Sequence, residues 1–128
     1  MLVEVHMVIL TPPVPVLRVF DEAKTRAFYI NFLGFDVDFE HRYAENYPLY
    51  LGVSRSGCKL HLSEHHGDCS PVAKVRIQID DLKDFWRELG ARETEFIAPK
   101  SGSRMPWGSK ECTVVDPFGN KLVFFQES

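Results

Sequence analysis

The chain predicts an α+β fold built from two β-α-β-β-β modules, and three observations carry that expectation. The first is a well-marked hairpin near the end. Strand-like runs at Cys112–Val115 and Lys121–Gln126 flank Asp116-Pro117-Phe118-Gly119-Asn120. There Pro117 sets φ for a turn, Gly119 can take positive φ, and Asp116 and Asn120 can bond the local backbone. The second is an approximate internal repeat of strand, helix and three strands, in which Phe28-Tyr29 of the first helix matches Phe85-Trp86 of the second. The third is alternation of apolar and polar residues along several strands, which implies sheets with one face against helices and one face wet.

The elements follow in order. Val14–Phe20 reads as a strand, with Pro15 near its start implying an edge or an entry kink. Asp21 caps a helix whose apolar positions are Ala23, Ala27, Phe28, Ile30 and Phe32/Leu33, and Gly34 stops it. Three strands come next, Phe35–Arg42, Leu49–Val53 and Lys59–Ser63, and then a polar loop over Glu64–Val72. The order then restarts: a strand at Ala73–Ile79, and a helix capped by Asp80/Asp81 that runs through Leu89 and ends at Gly90. A weak strand is expected near Glu93–Ile97, ahead of the Pro/Ser/Gly stretch Pro99–Gly108 and the final hairpin. Module one spans about 12–64, module two about 73–127, and 1–11 forms an N-terminal arm. The sheets are expected to be curved and mixed, with helices on the convex face and the aromatic of Pro106-Trp107-Gly108 near the rim.

A length of 128 residues suits one domain with a real core, and 45% hydrophobic residues is ordinary for a globular chain. A net charge of −3 gives no footprint for nucleic acid. No apolar run approaches a membrane span. Met1–Leu10 contains Glu4 and His6 and runs into Thr11-Pro12-Pro13, which makes a poor signal peptide. The three cysteines, Cys58, Cys69 and Cys112, are odd in number and lack a C-x-x-C, so reduced structural thiols in a cytoplasmic protein are the expectation.

The wet faces carry the candidate chemistry. In Lys59–Ser63 the residues alternating with Leu60 and Leu62 are Lys59, His61 and Ser63. In Lys74–Ile79 they are Lys74, Arg76 and Gln78. In the last strand Lys121, Val123 and Phe125 alternate with Leu122 and Phe124. His61, Arg18, Arg76, Gln78 and Phe125 thus read as the wall of a ligand cavity. The run Glu64-His65-His66-Gly67-Asp68 reads as a polar loop, since adjacent residues of an extended chain point to opposite sides.

The segments V-P-V-L-R-V-F-D, A-F-Y-I-N-F-L-G-F, I-D-D-L-K-D-F and P-W-G-S-K-E-C-T-V-V-D-P-F-G-N-K-L-V-F resemble the glyoxalase / bleomycin-resistance / extradiol-dioxygenase superfamily, the vicinal oxygen chelate proteins. L-H-L-S-E-H-H-G-D, and P-W-G-x-x-E together with V-P-V-L, are similar to its antibiotic-binding branch. Enzymes of the superfamily bind a divalent metal through His, Gln or Glu at fixed strand positions. The matching positions here are Val14, His61, Lys74 and Val123, so a metal site and metal-dependent catalysis are not expected, and neither is any cofactor. The resemblance implies a homodimer that holds a bleomycin-type antibiotic without chemistry. Ligand contacts are expected at Phe39, His61, Arg76, Trp107 and Phe125, with Phe39 and Trp107 stacking on flat heterocycles. The second reading is an enzyme or binder for a small anionic metabolite, using His61 and the basic residues Arg18, Lys59, Lys74, Arg76 and Lys121.

Overall fold

The computed structural model describes residues 6–99, 103–104 and 108–127. The first module holds β1 (Val16–Arg18), α1 (Glu22–Arg26), β2 (Asp36–His41), β3 (Tyr50–Arg55) and β4 (Cys58–Ser63). The second holds β5 (Lys74–Gln78), α2 (Leu82–Ala91), β6 (Ser103–Arg104), β7 (Lys110–Val115) and β8 (Lys121–Gln126). The strands form two four-stranded sheets, ordered β1-β4-β3-β2 and β5-β8-β7-β6. The orders are the same once the second module is renumbered, so the repeat read in the sequence is a repeat of topology. In each sheet the first strand pairs parallel to the last, Val16 opposite His61 and Lys74 opposite Lys121, and the other pairs are antiparallel.

The expected curvature is absent. Among the described residues both sheets are open ladders, edged by β1 and β2 and by β5 and β6, and are neither curled nor closed, so the expected convex face is not formed. Sheets bend where bulges or kinks recur. Among the described residues these ladders contain one register shift, between Val37 and Phe39 of β2.

Both helices start as their sequences dictate. The Asp21 carboxylate accepts from Lys24 N at 2.9 Å, and the Asp81 carboxylate accepts from Asp84 N at 3.0 Å. After Arg26 the first helix widens into a π-helical stretch over Ala27–Phe32, where Leu33 N donates to Phe28 O at 2.9 Å. The wider turn directs Phe28, Tyr29 and Phe32 together into the core. Gly34 then ends it at φ +78°, with Phe35 N donating to Tyr29 O. Gly90 does not end α2. The helix runs on through Ala91, because Gly90 keeps a conformation outside the left-handed region that a terminating glycine would adopt. The stretch 93–97 is a series of bends rather than a strand, and the strand of this region is β6, paired to β7 through Ser103 and Glu111.

One apolar core runs through both modules. Leu17, Leu51, Val53, Leu60 and Leu62 from the first sheet meet Phe28, Tyr29, Phe32 and Leu33, while Val114, Leu122 and Phe124 meet Leu82, Phe85 and Leu89. Phe96 joins them edge-on to Phe28, with ring centroids 5.1 Å apart. Polar ties cross between the modules as well. Tyr29 Oη donates to Asp116 Oδ2 at 2.7 Å, and Asn120 Nδ2 donates to Arg18 O at 2.8 Å. Burial, followed by the nearby Asp116 charge, pushes the Tyr29 hydroxyl well above its ordinary pKa. Arg55 forks onto Glu88 at 2.6 and 2.8 Å while donating to Leu33 O. That hydrogen bond from Arg55 is the main reason the Glu88 carboxyl sits below the usual carboxylate range. Among the described residues no helix is long and apolar enough to cross a membrane.

Candidate functional site

The inner face of the first sheet is buried against the core; on the outer face Gly52 and Ser63 are covered, while Phe39, Tyr50 and His61 keep part of their surface exposed. On β3 the inner residues are Leu51 and Val53, leaving Tyr50, Gly52 and Ser54 on the outer face. On β4 the inner residues are Leu60 and Leu62, leaving Lys59, His61 and Ser63. The register shift in β2 sets Phe39 opposite Gly52, on the outer face. Phe39 therefore lies across the sheet with 43% of its surface exposed.

An aromatic cluster results. Phe39 and Tyr50 are nearly parallel, at 14° and 6.1 Å between centroids. His61 stands edge-on to both rings, 5.2 Å from each. Its Nδ1 lies 2.8 Å from Tyr50 Oη, which fixes the imidazole orientation. The loops after β2 and β4 extend the cluster. Tyr43 is edge-on to His41 at 4.7 Å and to His65 at 5.9 Å. The loop after β4 is held by Ser63, whose Oγ donates to Asp68 Oδ2 at 2.7 Å and accepts from His65 N at 3.0 Å. Phe39, His41, Tyr43, Tyr50, His65 and Asp68 line a groove of about 400 Å3. Burial, then the charge of Asp68, raises the Tyr50 pKa, so its hydroxyl keeps its proton at neutral pH. The groove thus offers π faces, hydrogen-bonding imidazoles and one carboxylate.

Two other hollows lack this convergence. One, of about 200 Å3, lies between Arg55-Ser56 and α2, and its Arg55 and Glu88 are already paired. The other, of about 460 Å3, is bounded by Ala27, Asn31 and the bends from Arg92 to Phe96.

The residues expected from the sequence divide between the two sheets. Phe39 lines the groove, and His61 stands against its Phe39 and Tyr50 rings without being part of the lining. Arg76 and Phe125 lie on the outer face of the second sheet, where the Arg76 guanidinium sits 4.5 Å over the Phe125 ring. Arg76 is also forked onto Glu111 at 3.2 and 2.9 Å, and Ser109 Oγ donates to the same carboxylate. These bonds raise the Arg76 pKa and use its donors internally. Val123, expected on the wet face, is only 3% exposed. Trp107 lies outside the described residues. The sequence reading missed Tyr50, Gly52, His41 and Tyr43. The first two were legible as the outer positions of an alternating strand. Tyr43 depends on a loop path that no local pattern specifies.

The four positions matched to superfamily metal ligands do not make a metal site. Val14 and Val123 offer no donor, Lys74 offers an ammonium, and His61 Nδ1 is engaged by Tyr50. Among the described residues no three His, Cys, Asp or Glu side chains converge on a point where an ion could sit.

The fold is shared with several solved structures. A bleomycin-binding protein complexed with bleomycin is 25% identical with a TM-score of 0.68, covering 93% of this chain and 100% of that one. TnmS3, an antibiotic binding protein from Streptomyces sp. CB03234, is 24% identical with a TM-score of 0.68, covering 96% of this chain and 100% of that one. A bleomycin resistance determinant encoded on the transposon Tn5 is 23% identical with a TM-score of 0.66, covering 93% and 99%. No curated protein matches the sequence. The model of a family described as glyoxalase superfamily protein matches residues 3–128, nearly the whole chain. With the doubled β-α-β-β-β topology and this match, the chain belongs to the glyoxalase / bleomycin-resistance (vicinal oxygen chelate) superfamily.

Proposed function

We propose that the protein binds a flat aromatic small molecule in the groove on its first sheet and holds it without chemistry, a bleomycin-type antibiotic being the ligand class. The observation that carries this reading is Phe39. A ring with 43% of its surface in water, lying beside Tyr50 and His61, is contact area for a planar partner. The likeness to a bleomycin-binding protein supports the choice of ligand. Charge supports it as well. Asp68 puts a carboxylate among the groove's lining side chains, and it suits a cationic drug. The reading as a binder of anionic metabolites rests on His61 and the basic residues Arg18, Lys59, Lys74, Arg76 and Lys121, and of these Arg76 is already forked onto Glu111.

Titration calorimetry with metal-free and copper-loaded bleomycin tests the proposal. Micromolar or tighter binding is expected. Phe39→Ala should weaken it by about 1–2 kcal/mol, roughly five- to thirtyfold in Kd. No heat from either form at drug concentrations near a millimolar would rule out the antibiotic.

A homodimer belongs to the same proposal. Met7, Val8, Ile9 and Leu10 are 75–91% exposed, an apolar run that one chain leaves in water. Crossing of this arm onto a second copy, hinged at Pro13-Val14-Pro15, would cover it. Light scattering should give twice 14.7 kDa, and removal of residues 1–10 should weaken association. A monomer at micromolar concentration would refute the dimer, whereas an unaffected dimer after truncation would refute the arm alone.

A further inference from the structure

We propose that Gly52 is a specificity-determining position of the groove, acting through Phe39, and that its missing side chain is what keeps the groove open to a flat ligand. The inference rests on the reading of the groove as a binding site.

Glycine in the middle of a strand lowers stability and asks for a reason. Backbone conformation does not supply it, since Gly52 is not among the residues with positive φ. Packing does. A Cβ on Gly52 would lie 2.1 Å from Phe39 Cε1, 2.6 Å from Cδ1 and 2.7 Å from Cζ. Separations that short are not tolerated, so the ring would have to leave. Its ways out are limited. Tyr50 lies alongside at 6.1 Å and His61 stands across at 5.2 Å, while the backbone of β3 is beneath. The remaining direction is away from the sheet, into the space a ligand would use. The register shift between Val37 and Phe39 completes the device, because it puts this phenylalanine opposite this glycine. Bulge, glycine and ring together make a flat floor, and a methyl group at position 52 would turn the floor into an obstruction.

The test is a double-mutant cycle with two probes, bleomycin and the flat cationic dye acridine orange, on wild type, Gly52→Ala, Phe39→Ala and the double variant. Gly52→Ala should weaken dye binding at least tenfold. In the Phe39→Ala background the same change should alter it less than twofold, because the ring it displaces is gone. The His61 imidazole proton resonances supply a readout that needs no ligand. They should shift in Gly52→Ala as the neighbouring ring moves, and should be the same in Phe39→Ala and in the double variant. If Gly52→Ala fails to fold, the double variant should fold with the Tm of Phe39→Ala. Binding by Gly52→Ala within twofold of wild type would overturn the proposal, as would an equal loss in both backgrounds or a double variant that also fails to fold. Wild type binding the dye but not bleomycin would remove the antibiotic and leave Gly52 in its role. Wild type binding neither probe would remove both.

Discussion

Replacing Asp116 with alanine should cost about 3–5 kcal/mol of stability, because its carboxylate is buried and accepts four hydrogen bonds. Phe118 N and Asn120 N donate to Oδ1, each at 2.8 Å, and Tyr29 Oη and Asn120 Nδ2 donate to Oδ2 at 2.7 and 2.8 Å. The residue is 4% exposed and Asn120 is 1% exposed, so water cannot readily take over the orphaned donors. Alanine would also unfasten the modules, since Asn120 is held by Asp116 while it donates to Arg18 O and accepts from Ala73 N. Tyr29→Phe removes one of the four bonds and should cost about 1 kcal/mol. Urea denaturation of the two variants would measure the difference. An Asp116→Ala midpoint equal to that of Tyr29→Phe would show that the network is not cooperative.

Phe28→Ala should be comparably severe, about 3–5 kcal/mol, through a cavity rather than a lost hydrogen bond. Phe28 is 1% exposed, and its centroid lies 5.0 Å from Tyr29, 5.6 Å from Phe32 and 5.1 Å from Phe96. Three of these rings sit on the π-helical stretch, whose backbone bonding restricts how far they can collapse into a void. Phe96 comes from the second module and would lose its edge-on partner. A fall in Tm of roughly 10 °C or more is expected by calorimetry. A loss no larger than that of an exposed substitution would mean that the cluster repacks.

The sequence made the order of elements legible because each boundary carries local chemistry: Asp21 and Asp81 as caps, Gly34 in the left-handed region, and the turn at Asp116–Asn120. It misjudged what depends on distant partners. Asp116 and Asn120 read as turn residues, and they do bond the local backbone, but their other bonds reach Tyr29, Arg18 and Ala73. The expected curvature depends on bulges, which alternation of apolar and polar residues does not reveal. In the site, Phe39 and His61 were named as separate aromatic and imidazole positions. What joins them is the register of β2 on β3, and register was not legible because the shift at Val37/Phe39 leaves no mark in composition. Arg76 was read as a free cation because nothing local indicates that Glu111 faces it across β8.

The parallel ladders also bear on how the chain acquires its shape during synthesis. Neither sheet can be completed until the far end of its module has been made, since β1 waits for β4 and β5 waits for β8. Such distant pairings close late and slowly compared with hairpins. When the first module leaves the ribosome, the Tyr29 hydroxyl and the Arg18 carbonyl still have no Asp116 or Asn120 to meet, and Phe28 has no Phe96. The early half therefore emerges with an unfinished apolar surface and unmatched polar groups. The turn at Asp116–Asn120, made only after the whole first module, brings the partners of Tyr29 and Arg18 and ties the two halves together.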